Sequence, residues 1–120
     1  MASASEKRDT KRRKFRYYMQ IVDDTTEQAY GHLSDISQNG FKLDSQVAIV
    51  PNKDFHLRVE LTSEMSDKPF LTFVARSRWC RPDEFTPNLY NVGFEIIKIG
   101  PTDANIFKNI YEKYGSDSIW

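Results

Sequence analysis

Two stretches alternate apolar and polar residues with a period of two, and they limit what this chain can fold into. In residues 55–61, FHLRVEL, the apolar side chains Phe55, Leu57, Val59 and Leu61 take every second position. In residues 70–79, FLTFVARSRW, the series Leu71, Phe73, Ala75, Ser77 and Trp79 does the same. Successive side chains of a strand point to opposite faces, so each stretch reads as a half-buried strand rather than an amphipathic helix. The same parity puts Trp79 on the inward face with Leu71, Phe73 and Ala75. Further strand signals lie at residues 17–22, 29–36 (AYGHLSDI), 41–45 (FKLDS) and 89–97 (LYNVGFEII). In the last of these Tyr90, Val92, Phe94 and Ile96 face inward. Asn39-Gly40 is a hairpin turn between its flanking strands, because both residues tolerate positive φ.

The period changes near the C-terminus. Ile106, Phe107, Ile110, Tyr111 and Tyr114 recur at helical spacing. Thr102 or Asp103 can cap the start, Asp103 suits the positive end of the helix dipole, and Gly115 can end the helix. Six or more short strands followed by one helix imply a mainly β fold, an antiparallel barrel or sandwich with a helix packed on it. A chain of 120 residues makes one such domain. Residues 1–10, MASASEKRDT, are small and polar and read as a flexible tail, which leaves residues 11–120 as the domain.

Composition narrows the setting. At 39% hydrophobic and 28% charged, the chain is that of an ordinary globular protein. No apolar run approaches the ~18 residues of a membrane span, and the N-terminus lacks the apolar segment of a signal peptide. The single cysteine, Cys80, cannot form an internal disulfide, which fits a reducing, cytoplasmic location.

The zero net charge hides a strong asymmetry. Residues 1–16 hold seven Lys/Arg against Glu6 and Asp9, a net of +5, while residues 17–120 carry ten basic and fifteen acidic residues, a net of −5. A short basic arm therefore adjoins a mildly acidic body. Such an arm attracts an anion: nucleic acid, membrane headgroups, a phosphorylated ligand, or the body itself.

Catalytic signatures are missing. His32 and His56 do not stand at metal-ligand spacing, and one cysteine cannot build a zinc cluster. No Gly-rich phosphate loop, Gly-x-Ser-x-Gly elbow or His-Glu-x-x-His occurs. The expectation is a binding protein with no cofactor.

Two constellations carry recognition chemistry. Arg12 and Arg16, with Arg13 between them, stand four residues apart, which places them on one side of the chain whether it is extended or helical. Two guanidiniums on one face offer donor forks that match phosphate or the O6/N7 edge of guanine. The second constellation is Asp35-Ile36-Ser37-Gln38-Asn39-Gly40. Asp35 and Ser37 share one face of an extended segment, where Asp35 can accept hydrogen bonds from a purine or a guanidinium. Gly40 permits a close approach. Each also has a plainer reading: a solvated basic arm, and an Asp and Ser bonded only to their own backbone before a turn.

In combination, Arg12-x-x-x-Arg16 before the first strand and Asp35-x-Ser37-x-x-Gly40 at the end of the second resemble the PilZ domain family. The strands ARSRWCR at 75–81 and LYNVGFEI at 89–96, with the helix after them, extend the similarity over nearly the whole chain from about residue 8. The resemblance implies a six-stranded antiparallel barrel with an added C-terminal helix and a basic N-terminal arm. It also implies a bacterial receptor for the second messenger cyclic di-GMP. Arg12 and Arg16 match the arginines that grip the ligand's phosphates and guanine edges, and Arg13 stands where another basic residue can help. Asp35, Ser37 and Gly40 match the motif on the barrel face where a guanine rests. Trp79 is a secondary candidate, either stacking on a guanine or packing in the core. Arg8 and Lys11 join the site if the ligand binds as a stacked dimer.

With no output domain on the chain, the signal is expected to pass to a separate partner protein or through self-association. Two rivals stand beside this reading. A protein-protein adaptor of the same fold would use the barrel without ligand, and the intact motifs count against it. A nucleic-acid binder would use the arm on phosphates, and the acidic body counts against that.

Overall fold

A computed structural model of the chain describes residues 13–15, 19–113 and 115–117, with residues 13–15 and 115–117 described by their backbone pairing. Arg8, Lys11, Arg12 and Arg16 lie outside the described residues. Among the described residues, eight strands and one helix follow in the order β1 (Arg13–Phe15), β2 (Gln20–Asp23), β3 (Ala29–Ile36), β4 (Gly40–Ser45), β5 (Asp54–Glu60), β6 (Phe70–Pro82), β7 (Tyr90–Lys98), α1 (Pro101–Lys113) and β8 (Gly115–Asp117).

Six of these strands close a barrel. The sheet runs β2-β5-β6-β7-β4-β3, and a further antiparallel pairing of β2 with β3 joins its ends. Closure removes the open edges that an isolated sheet would expose. The strands β1 and β8 extend this sheet sideways. Arg13 pairs with Ile36 and Lys14 with Asp35, and on the other edge of β1 Phe15 pairs with Gly115 and Arg13 with Asp117. Strand β3 thus shares one edge between β2 along its first half and β1 at its end. The strand expected at 17–22 is met by β2 at Gln20–Asp23, with residues 17 and 18 outside the described residues, and a further strand at Arg13–Phe15 puts part of the basic arm in the sheet itself.

The alternation read from the sequence fills the interior. Leu57 and Val59 of β5, Leu71, Phe73, Ala75 and Ser77 of β6, and Val92 and Phe94 of β7 are all buried. Phe41 of β4, with none of its surface exposed, stacks on Phe94 with ring centroids 5.0 Å apart and meets Phe73 edge-on at 5.5 Å. Aromatic pairs in these arrangements add packing energy beyond the area they bury. Ser77, like Ser45 of β4, is a buried polar residue on the inward face. Its hydroxyl donates to Val50 O at 2.7 Å and accepts from Lys53 N, tying the loop at residues 46–53 along β6.

The helix closes one side of the barrel. Pro101 suits the first helical position, where a missing N–H costs nothing. Phe107, Ile110 and Tyr111 are buried at helical spacing, and Phe107 meets Phe73 edge-on at 6.5 Å. Asp103 does not cap the helix. It accepts from Thr72 N of β6 at 3.2 Å and pairs with Lys68, fixing the first turn to the sheet. Gly115 begins β8, where the sequence suggested a helix stop.

Phe41→Ala is expected to lower stability by roughly 3–5 kcal/mol, the cost of removing a fully buried aromatic and leaving a cavity. Chemical denaturation checks this, with a fall in midpoint at an unchanged slope.

Candidate functional site

The site is built by irregularities in the sheet, and the most consequential is in β6. Ser77 pairs with Phe94 and Trp79 pairs with Gly93, so Arg78 has no partner on β7 and forms a β-bulge. A bulge shifts the side-chain alternation by one. Phe94 and Ser77 face inward, Gly93 and Trp79 share the outer face, and the inward placement of Trp79 expected from period-two parity is overturned. Trp79 takes no part in the core cluster. Its indole lies across Gly93, where an added Cβ would stand 2.3 Å from the ring, and the Arg81 guanidinium sits 4.6 Å from the ring centroid. Glycine at 93 is the condition for that placement.

A second bulge acts in β3. Leu33 pairs with Leu43 and Asp35 with Lys42, leaving Ser34 unmatched. Ile36 keeps its place inside the barrel, and Asp35 shares the outer face with Lys42. The register then defines one transverse row across four strands: Asp35, Lys42, Gly93 and Trp79. At about 4.8 Å per strand, the row spans roughly 14 Å from Asp35 to Trp79. Lys14 of β1 is the register partner of Asp35 on the far side. The Asp35 carboxylate lies 4.0 Å from the Lys42 ammonium.

The turn Ser37–Gly40 stands at the end of this surface. Ser37 is buried, and both its N–H and its hydroxyl donate to Gly40 O, at 2.9 and 3.2 Å. That is the self-bonded arrangement common in serine turns, and it leaves the hydroxyl oxygen able to accept. Gly40 has no positive φ, and neither has Asn39. The glycine is needed for another reason: a Cβ there would stand 2.2 Å from Phe94 O, so only glycine lets β4 approach β7 this closely. Asn39 O in turn accepts from Ile96 N at 2.8 Å.

These features enclose an open cavity of about 240 Å³ lined by Ser37, Asn39, Gly40, Arg78, Trp79, Gly93, Phe94 and Glu95. The structure thus brings together Ser37, Gly40 and Trp79 of the residues predicted from sequence. Asp35 is on the same face but does not line the cavity. Of the arginine motif, only Arg13 falls within the described residues, and its backbone is paired with Ile36. Arg78, Gly93 and Glu95 were not anticipated, since no local pattern announces a bulge. A larger groove of about 520 Å³ lies beyond the same turn, lined by Ile96, Phe107 and Tyr111 among others. It contains neither Ser37 nor Gly40, so volume alone does not mark the motif face.

Charge on the motif face is arranged in pairs. Arg78 Nε donates to Glu95 Oε1 at 2.8 Å and its Nη2 reaches the same oxygen. Next to it Arg76 Nε donates to Asp54 at 2.6 Å. That hydrogen bond, ahead of the Coulomb attraction, holds the Asp54 carboxyl below its ordinary value, so it stays ionised throughout the physiological range. No cluster able to hold a metal ion occurs among the described residues, and none of their helices is long and apolar enough to cross a membrane.

A closed six-stranded antiparallel barrel with one flanking helix and an open, mixed-charge cavity on its outer face defines a small β-barrel binding module. The PilZ domain family model matches residues 6–113, nearly the whole chain, and the protein belongs to the PilZ family. No curated protein matches it by sequence. Among solved structures it is similar to the PilZ domain of YcgR from Escherichia coli, determined with cyclic di-GMP, at a TM-score of 0.67 and 14% identity over 91% of this chain and 92% of that one. It is also similar to the Bacillus subtilis inhibitor of motility MotI/DgrA (TM-score 0.65, 16% identity, 85% of this chain) and to MrkH, described as a cyclic-di-GMP-dependent transcription regulatory factor (TM-score 0.66, 12% identity, 88% of this chain). The chain spans 47% and 50% of those two proteins. At such identities the likeness is one of fold.

In a Trp120→Phe background, where Trp79 is the one remaining indole, Gly93→Ala is expected to shift the emission to longer wavelength. The new Cβ displaces the ring into water. An unchanged spectrum would mean the indole does not lie on Gly93.

Proposed function

We propose that this protein is a cytoplasmic receptor for cyclic di-GMP. The observation that carries the reading is the junction of the two sequence motifs: the basic strand Arg13–Phe15 is hydrogen-bonded beside Asp35 and Ile36, at the mouth of the Ser37–Gly40 turn. Arg12 precedes that strand by one residue and Arg16 follows it by one. In sequence, the two ends of the R-x-x-x-R motif thus flank the strand that pairs with Asp35 and Ile36. Membership of the PilZ family, and the cyclic di-GMP in the related YcgR domain structure, support the choice of ligand.

The chemistry follows from the residue types. The ligand carries two phosphates and two guanines. Its phosphates draw Arg12, Arg13 and Arg16 together against the barrel, neutralising a cluster whose like charges otherwise repel. Asp35 accepts from the N1–H and N2–H edge of one guanine, and Ser37 adds an acceptor beside it. Trp79, exposed on one side and backed by Gly93, offers a stacking face worth on the order of 1–3 kcal/mol per base. If the ligand binds as a stacked dimer, Arg8 and Lys11 complete the clamp. Closing the arm over the barrel changes the charge that the surface presents, and a partner protein reads that change.

Calorimetric titration with cyclic di-GMP tests the proposal. Binding in the micromolar range or tighter is expected, with Arg16→Ala and Asp35→Ala each weakening it at least tenfold, about the size of one charge-assisted hydrogen bond. Arg12→Lys should weaken it as well, because lysine keeps the charge but loses the planar fork. Absence of binding, or wild-type affinity in the two alanine variants, contradicts it.

A further inference from the structure

We infer that Arg78, released from Glu95, is a ligand-gripping residue supplied by the rigid barrel wall opposite the arm. The inference rests on the receptor reading above and adds to it a residue outside both sequence motifs, together with the internal competitor that restrains it.

Three observations point there. The bulge sets Trp79 on the same face as Arg78, a placement that a regular strand would deny it. Consecutive strand residues face opposite sides, yet Arg78 and Trp79 both line the outer cavity with Ser37 and Gly40. A guanidinium and an indole presented side by side form a recognition pair for a phosphorylated purine: one face to stack on, one fork to donate. Among the described residues that line this cavity, Arg78 is also the one cationic side chain.

The second observation is the weakness of its present bond. Arg78 and Glu95 are 43% and 45% exposed, and ion pairs that open to water contribute little to stability. An exposed pair is a poor reason to hold a bulge in the middle of the longest strand. It is a good way to keep a guanidinium oriented while leaving it free to exchange one anion for another.

The third observation is that Glu95 is not stranded when Arg78 leaves. Glu95 stands directly opposite Arg76 in the β6–β7 register, and Arg76 is already turned to the outer face to hold Asp54. Asp54, Arg76, Glu95 and Arg78 form one chain of alternating charge. A phosphate arriving at Arg78 shifts the pairing by one place, so that Arg76 shares its fork between Asp54 and Glu95 and no carboxylate loses its partner.

Glu95 thereby acts as an internal stand-in for the ligand's anionic group. It lowers affinity by competing for the same fork, and it sets the threshold at which the receptor fills.

The test is a double-variant cycle read by calorimetric titration with cyclic di-GMP, with thermal melts confirming that each variant folds. Arg78→Gln should weaken binding about tenfold, the size of one charge-assisted hydrogen bond. Glu95→Gln should tighten it about two- to fivefold, the size of an exposed ion pair. In the Arg78→Gln background, Glu95→Gln should have no effect, because the competitor then has nothing to release. A gain from Glu95→Gln that persists without Arg78 would mean simple removal of negative charge and overturns the inference. So does wild-type affinity in Arg78→Gln, or weaker binding in Glu95→Gln. A wild type that does not bind cyclic di-GMP overturns the receptor reading and this inference with it, whereas a wild type that binds while Arg78→Gln is silent overturns this inference alone.

Discussion

The pairing of β6 with β7 slips by one residue at Arg78, and the outer face of the barrel is organised around that slip. Without it Trp79 would follow Ala75 and Ser77 into an interior already filled by Phe41, Phe73 and Phe94. With it the indole is carried to the outside, where Gly93 receives it beside Arg78. A bulge disrupts a ladder locally and bends the strand, costs that a sheet bears where a side chain must be re-aimed. Here the side chain re-aimed into the site is Trp79.

Glycine does complementary work at two neighbouring points of the same ladder. Gly93 leaves room for the indole and Gly40 lets β4 close on the β7 backbone. Neither role depends on unusual dihedral angles, since neither residue has a positive φ. Both depend on the absence of a Cβ. The result is a patch of bare backbone bordered by an aromatic ring, a hydroxyl and a guanidinium, which is the kind of surface a flat heterocycle with charged substituents can occupy.

Much of this was legible in the sequence, and the limits of legibility have physical causes. The β3 strand at 29–36, the long alternating segment from residue 70 and the C-terminal helix were readable because burial imposes a period on the side chains. The motif residues Ser37 and Gly40 were found from spacing and do share a cavity. Trp79 was misplaced because period-two parity holds only while the register holds, and a bulge depends on the partner strand as much as on its own residues. The short strands β1 and β8 were missed for a related reason. Arg13–Phe15 and Gly115–Asp117 have little apolar periodicity, and their strand character comes from pairing with β3 and with each other. Arg78 and Glu95 looked like ordinary solvated charges until the fold brought them across β6 and β7.

The central claim is that the ligand sits on the outer face between the Ser37–Gly40 turn and the β6 bulge. Backbone and indole amide shifts on addition of cyclic di-GMP to the isotopically labelled protein address this most directly. The account predicts that the largest changes fall on Asp35, Ser37 to Gly40, Arg78, Gly93 and the Trp79 Nε1–H. Changes confined to the opposite end of the barrel, around Val47–Val50 and the Asp83–Leu89 loop, would contradict it.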